Sequence, residues 1–207
     1  MKEKLEYLKQ SLIHPFDGFY EVRFRQKGSI LLAVLILAIY GIVQCAAYQY
    51  TGFILNLNPV YAMNSVSIFV SSVAIVILAA ISNWTVTSLF NGKGNMASIF
   101  MVMSYSLVPL IITKILVIFL SNVMTIDEAM LIYMIEGIGV VWTVFLIVSG
   151  LCVIHEYGLL KNLVVILSTF VAAFLIIFLL VLFLSLEERM FGFFAAVFKE
   201  ITRRIVL

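Results

Sequence analysis

Charge is what this sequence has least of. Only 12% of its 207 residues are Asp, Glu, Lys or Arg, against about 25% in an ordinary soluble domain. From Gly28 to Gly92 there is none. A soluble fold of this length has no core large enough to hide such a stretch, whereas a bilayer accommodates it. Cysteine is scarce as well. Cys45 and Cys152 are expected near opposite ends of different spans, beyond the ~7 Å Cα separation that a disulfide tolerates, and are read as small apolar packing residues. Net charge is +2, too little for a nucleic-acid footprint. The patterns GxxxxGK[ST], H-E-x-x-H and G-x-S-x-G are all missing. The two aspartates, Asp17 and Asp127, are expected on opposite faces, which excludes an intramembrane aspartyl dyad. The chain is therefore read as a non-enzyme with no cofactor and no metal.

What is there is a succession of apolar runs. Their lengths predict an all-α polytopic bundle of five transmembrane helices, over about 29–51, 66–90, 97–120, 131–154 and 162–185. Residues 1–28 are expected to form a cytoplasmic amphipathic arm. Leu5, Leu8, Leu12, Phe16 and Phe19 recur at helical spacing, Pro15 interrupts the helix, and the apolar face suits the membrane surface. A second expectation for the arm is docking against the inner ends of the fourth and second spans. Residues 186–207 read as an amphipathic tail, an interfacial helix lying flat with Phe191, Phe194, Phe198, Ile201 and Ile205 in one stripe.

Asn91-Gly92-Lys93-Gly94-Asn95 joins the second and third spans, and its glycines can take φ > 0 without steric cost. Basic residues gather in the arm, at Lys93 and at Lys161, while the loops on the opposite side carry none. That asymmetry places the arm and this turn in the cytoplasm and, with five spans, the C-terminus outside. The tail, with Arg189, Lys199, Arg203 and Arg204, runs against the pattern.

Lys114 and Glu136 are the ionisable residues well inside spans. Both are expected roughly 8–10 Å below the outer face, on consecutive antiparallel helices, which makes an intramembrane ion pair geometrically feasible. The plainer reading has Lys114 snorkelling outward and Glu136 near the interface. Pro109 removes the hydrogen bond to the Tyr105 carbonyl and predicts a kink, with the Ser104 and Ser106 hydroxyls available to the freed backbone groups. Trp84 and Trp142 are expected as buried packing residues. His14, Trp84, Lys93 and His155 are grouped as an inner-face interaction site. His14 and His155 with Asp17, Glu21 and Glu156 could in principle ligate a metal, but their spacing matches no compact motif. Gly41 and Cys45, Ser67 and Ser71, Gly137 and Gly139, and Ser149 and Gly150 are expected where helices meet.

Several of these residues fall in a familiar order. His14-Pro15-Phe16 precedes the first span; Trp84 is followed by Gly92-Lys93-Gly94, Tyr105 and Pro109; Trp142 is followed by Gly150, His155 and Lys161. This resembles the Yip family, the Ypt-interacting proteins, from about Leu12 to Leu184. The resemblance implies a five-span bundle with a cytosolic N-terminus. Eukaryotic relatives are linked to Rab GTPases through a longer N-terminal region; with an arm of 28 residues this chain looks like the compact bacterial branch, and a bacterial cell membrane is the expected home. The expected function is that of a scaffold, assembly factor or accessory subunit, binding other membrane proteins such as an ABC-type exporter, with the lipid bilayer and a second copy of the chain as further partners. The alternative is a small transporter or channel, or a lipid-handling protein, using Lys114 and Glu136.

Overall fold

The computed structural model describes residues 2–56, 58 and 63–206, with side chains from Lys4 to Arg203. It is all-α, with no strand among the described residues. Helices α1 (Lys2–Ile13) and α2 (Pro15–Phe24) form the arm, followed by α3 (Ile30–Tyr50), α4 (Ser65–Leu89), α5 (Met96–Tyr105), α6 (Val108–Ser121), α7 (Ala129–His155) and α8 (Leu159–Val206). Five segments are long and apolar enough to cross a membrane, with α5 and α6 together making the third. The end of the bundle carrying residues 91–95 is here the turn end, and the end carrying residues 51–64 the loop end.

Local chemistry sets the breaks. Asn64 and Asn95 cap α4 and α5, accepting from the Ser67 and Ser98 amides at 3.0 and 2.8 Å. The third span is interrupted at Ser106–Leu107. Pro109 has no N–H for the Tyr105 carbonyl, and its fixed φ suits the first turn of a new helix. The Ser104 and Ser106 hydroxyls do not repair the break: both are buried without a partner among the described residues.

The arm does not lie flat across the turn end. It is a helical hairpin packed along the bundle. Its first helix begins near Ser29, where the Lys4 ammonium donates to the Ser29 hydroxyl at 3.4 Å. Leu12 and Ile13 at its tip share a groove with Pro109, Gly139 and Trp142, halfway along the third and fourth spans. Pro15 starts the returning helix, which buries Phe19 and Val22. The two helices touch at Gly18, where a Cβ would stand 2.3 Å from the Ser11 Cα. Phe19 sits over Gly150, whose own Cβ would meet the Phe19 ring at 3.0 Å. The hairpin therefore packs on the fourth and third spans, and the second span is not its principal partner.

The tail also departs from its expected form. No separate interfacial helix follows the fifth span; α8 is one helix of 48 residues. Between positions 186 and 207 the sequence has a single glycine, Gly192, and no proline, so nothing in it stops the helix. Of the expected stripe, the Ile205 side chain lies outside the described residues. The first turns of α8 pack mainly on α4. Asn83 of α4 faces Thr169 of α8, so antiparallel packing brings Ser65 level with about Glu187, and the helix continues roughly 28 Å beyond that level.

The apolar core fills the turn-end half. It joins Phe19 and Val22 to Ala33, Ile36 and Leu37 of α3, Ala80 of α4, Ile99 and Val102 of α5, and Leu151 and Ile154 of α7. Between membrane helices such contacts act through close packing rather than water exclusion. Gly41 faces the Phe69 ring and Gly139 faces Thr113, whereas Gly137 has open space around it. Ser67 and Ser71 are exposed.

Candidate functional sites at the two ends of the bundle

At the turn end, α7 stops at Glu156, which takes a left-handed conformation with φ 54°. This presents its carboxylate to the Lys93 ammonium, an ion pair, with Arg23 of the arm 3.9 Å away. The Lys93 hydrogen bond and the Arg23 charge hold the Glu156 carboxyl below its usual range. Three separate segments, the arm, the 91–95 turn and the end of α7, thus meet on one carboxylate. Lys161 lies over the Tyr157 ring at 4.3 Å, and the Tyr157 hydroxyl donates to the Phe90 carbonyl at 3.1 Å.

Beneath these charges His155 is buried, 1% exposed. Its Nδ1 accepts from the Gly94 amide at 3.2 Å, so Nε2 carries the proton and donates to Asn83 Oδ1 at 3.3 Å. The Asn83 amide then donates to Thr169 Oγ1 at 3.1 Å, and that hydroxyl donates to the Val165 carbonyl at 2.8 Å. Each group has one direction available, and the chain ties the turn, α7, α4 and α8 together. The turn glycines serve this closeness and not a left-handed backbone. Neither has positive φ; Asn91 does, at 55°. A Cβ on Gly92 would be 2.7 Å from His155 Nδ1, and one on Gly94 would be 2.4 Å from Ile154 Cγ2.

The grouping of His14, Trp84, Lys93 and His155 separates. Lys93 and His155 share the turn end. His14 lies at the exposed tip of the arm hairpin, between Ile13 and Pro15 and far from His155. Trp84 points outward, 47% exposed, and so does Trp142, at 43%. Neither indole is buried in the bundle, because both lie on helix faces with no neighbouring span. Among the described residues no three His, Cys, Asp or Glu side chains converge to hold a metal. Both cysteines are free.

At the loop end the Lys114 ammonium donates to Glu136 Oε1, forming an ion pair between α6 and α7. The pair keeps 23% and 31% side-chain exposure, because it faces a cavity of about 260 Å³. Gln44, Tyr48, Ser72 and Tyr133 are among its walls, and Asn56 and Asn58 lie over it. Gly52 lets the loop seat against the third span: its amide donates to Ser121 Oγ at 2.8 Å, and a Cβ there would stand 1.9 Å from the Ser121 carbonyl oxygen. The sequence left the Lys114–Glu136 pair open beside a snorkelling Lys114, and it did not single out Asn83, Asn162, Thr169 or Gln44. The signal available was the cost of an amide side chain inside an apolar span, which demands a partner.

The chain matches the Yip1 domain over residues 9–182. It therefore belongs to the Yip1 family of membrane proteins. No curated protein and no solved structure shows significant similarity to it.

Proposed function

We propose that the protein is a non-enzymatic membrane protein that holds another membrane protein through its fifth helix, as a scaffold, assembly factor or accessory subunit. One observation carries this reading. Helix α8 buries only a strip, with Asn162, Val165 and Thr169 at its centre. From Ile177 to Arg203 every side chain except Glu187 is exposed. Lipid covers the part level with the bundle. Phe191, Phe194, Phe198 and Ile201 stand exposed on the extension past the loop end, and such an apolar helix face calls for a protein or a membrane surface to cover it. A multi-component exporter of the ABC type is the partner class tested first. The home is a bacterial cell membrane, with the turn end cytoplasmic.

A photo-crosslinking residue placed at Phe194 and, separately, at Phe178 tests this in cells. A discrete adduct with one other membrane protein supports the reading. Adducts with lipid alone, or with a second copy of the chain alone, count against it. The loop-end cavity favours a second reading, a small transporter or channel. The packed core around Ile36, Leu37 and Val102 closes the cavity toward the turn end, so this reading requires that half to rearrange. Flux across proteoliposomes that Lys114→Ala abolishes would support it.

A further inference from the structure

The loop-end cavity has the chemistry of a receptor for one class of molecule. Its floor is an ion pair inside the span length, which is costly unless both charges are well used. Its walls carry groups that are not spent on the fold. Gln44 and Tyr133, the latter 56% exposed, line the cavity, and neither side chain makes a hydrogen bond among the described residues. The opposite is true of Ser72, Ser121 and Asn56, whose side chains satisfy backbone groups of their own helices and loop. The lining is thus divided into groups that build the cavity and groups that face it.

Charge decides what fits. A lone anion reaching the Lys114 ammonium would also meet the Glu136 carboxylate, and a lone cation would meet the reverse. Either adds an uncompensated charge beside a pair that is already neutral. A molecule bearing both signs does not. It can part the pair, setting its anion on Lys114 and its ammonium on Glu136, so that one ion pair becomes two and the site stays neutral. We propose that the cavity binds a zwitterion carrying an ammonium group and an acidic group, oriented by Lys114 and Glu136 and hydrogen-bonded by Gln44 and Tyr133. At about 260 Å³ the space is smaller than that of an ordinary drug-sized pocket, roughly 300–1,000 Å³. That restricts the ligand to a free amino acid or to the headgroup of an aminophospholipid entering from the bilayer. This site is independent of the partner proposed for the fifth helix.

The test uses the full chain in nanodiscs and reads its Tm. One arm adds glycine, alanine or glutamine to phosphatidylglycerol discs. The other exchanges phosphatidylglycerol for phosphatidylethanolamine. A saturable rise in Tm in the first arm identifies a free zwitterion, and a rise in the second identifies the headgroup; either supports the site. Phosphate and ethylamine, with one sign each, are expected to give no rise. The variant pair Lys114→Met with Glu136→Leu removes both charges together. It is expected to fold, because apolar replacement of both members of an ion pair held out of bulk water is often neutral or stabilising, and to weaken the response by at least about tenfold. Tyr133→Phe retains the pair and is expected to weaken it less. An unchanged response in the double variant, equal responses to the single-sign probes, or no response in either arm would overturn the proposal.

Discussion

His155 fixes the turn end through two bonds to neutral partners, and both ring nitrogens are committed. His155→Phe keeps much of the shape but strands the Asn83 carbonyl oxygen, which is fully buried. An orphaned buried acceptor costs about 1–3 kcal/mol, so Tm in detergent or nanodiscs is expected to fall clearly. Gly94→Ala should lower it too, because its methyl would collide with Ile154 and His155; Gly158→Ala, with nothing within 4 Å, should leave it unchanged. The exposed carboxylate above the ring adds a pH dependence. Glu156 is held below its ordinary value of 4.5 by Lys93 first and Arg23 after it. A depressed carboxylate contributes stability above the ordinary value, and the contribution is lost as pH falls below 4.5 through the lowered one. Melting between about pH 7 and about pH 3 should therefore show an acid-labile component that Lys93→Met reduces. The same sign holds for Glu21, which Lys27 and Arg25 clamp. The charges Lys93 and Glu156 are visible in the sequence as inner-face residues, but their meeting depends on a left-handed turn at Glu156 that no propensity for glutamate would suggest.

The five long helices were legible because apolar length and the scarcity of charge have one common physical cause, the bilayer. The two terminal elements were not, and for a reason they share. Amphipathic spacing shows that a helix has an apolar face but not what covers it. In the arm, Phe19 belongs to a stripe that suits the membrane surface, yet Phe19 and its neighbour Val22 are buried against α7 and α5. What makes that seat is Gly150, a gap and not a contact, and gaps have no periodicity. Gly18 supplies the matching gap between α1 and α2. Gly18→Val should force the hairpin apart and free it from the bundle. The check is protease sensitivity of the intact protein in nanodiscs: cleavage before Ser29 should accelerate, with the rest protected. Helix α8 offers the complementary check. Spin labels at Ser168 and Thr202, in a background lacking Cys45 and Cys152, are 34 residues apart on one helix, about 51 Å at 1.5 Å per residue. A distance near that value fits the continuous helix. A much shorter one would show that the tail bends onto the membrane, as its phenylalanine stripe alone suggests.

Across the whole molecule the two halves differ in kind: a packed core and an interlocked polar chain at the turn end, an ion pair and a cavity at the loop end. The arm enters and leaves by the turn end, so it adds no crossing, and if all five long apolar segments cross the bilayer, Lys4 and Arg203 are expected on opposite sides. Charge supplies the expected orientation of the bundle. The turn end carries Lys4, Arg23, Arg25, Lys27, Lys93 and Lys161, and short segments with such an excess are expected on the cytoplasmic side. The bases of the α8 extension are not expected to outweigh them. Arg189, Lys199, Arg203 and Arg204 lie far from the first span, whose flanking charge usually dominates orientation. In a background without native cysteines, a cysteine at Thr202 should react with a membrane-impermeant maleimide on intact cells, and one at Lys93 should react only after the membrane is opened. That result would put the Lys114–Glu136 cavity on the outward side, where a free zwitterion reaches it directly. The reverse labelling would place the cavity toward the cytoplasm and make the tail's bases, and not the arm's, the ones that set the topology. Labelling at both positions on intact cells would mean dual insertion, and the charge difference between the ends would then be too small to decide.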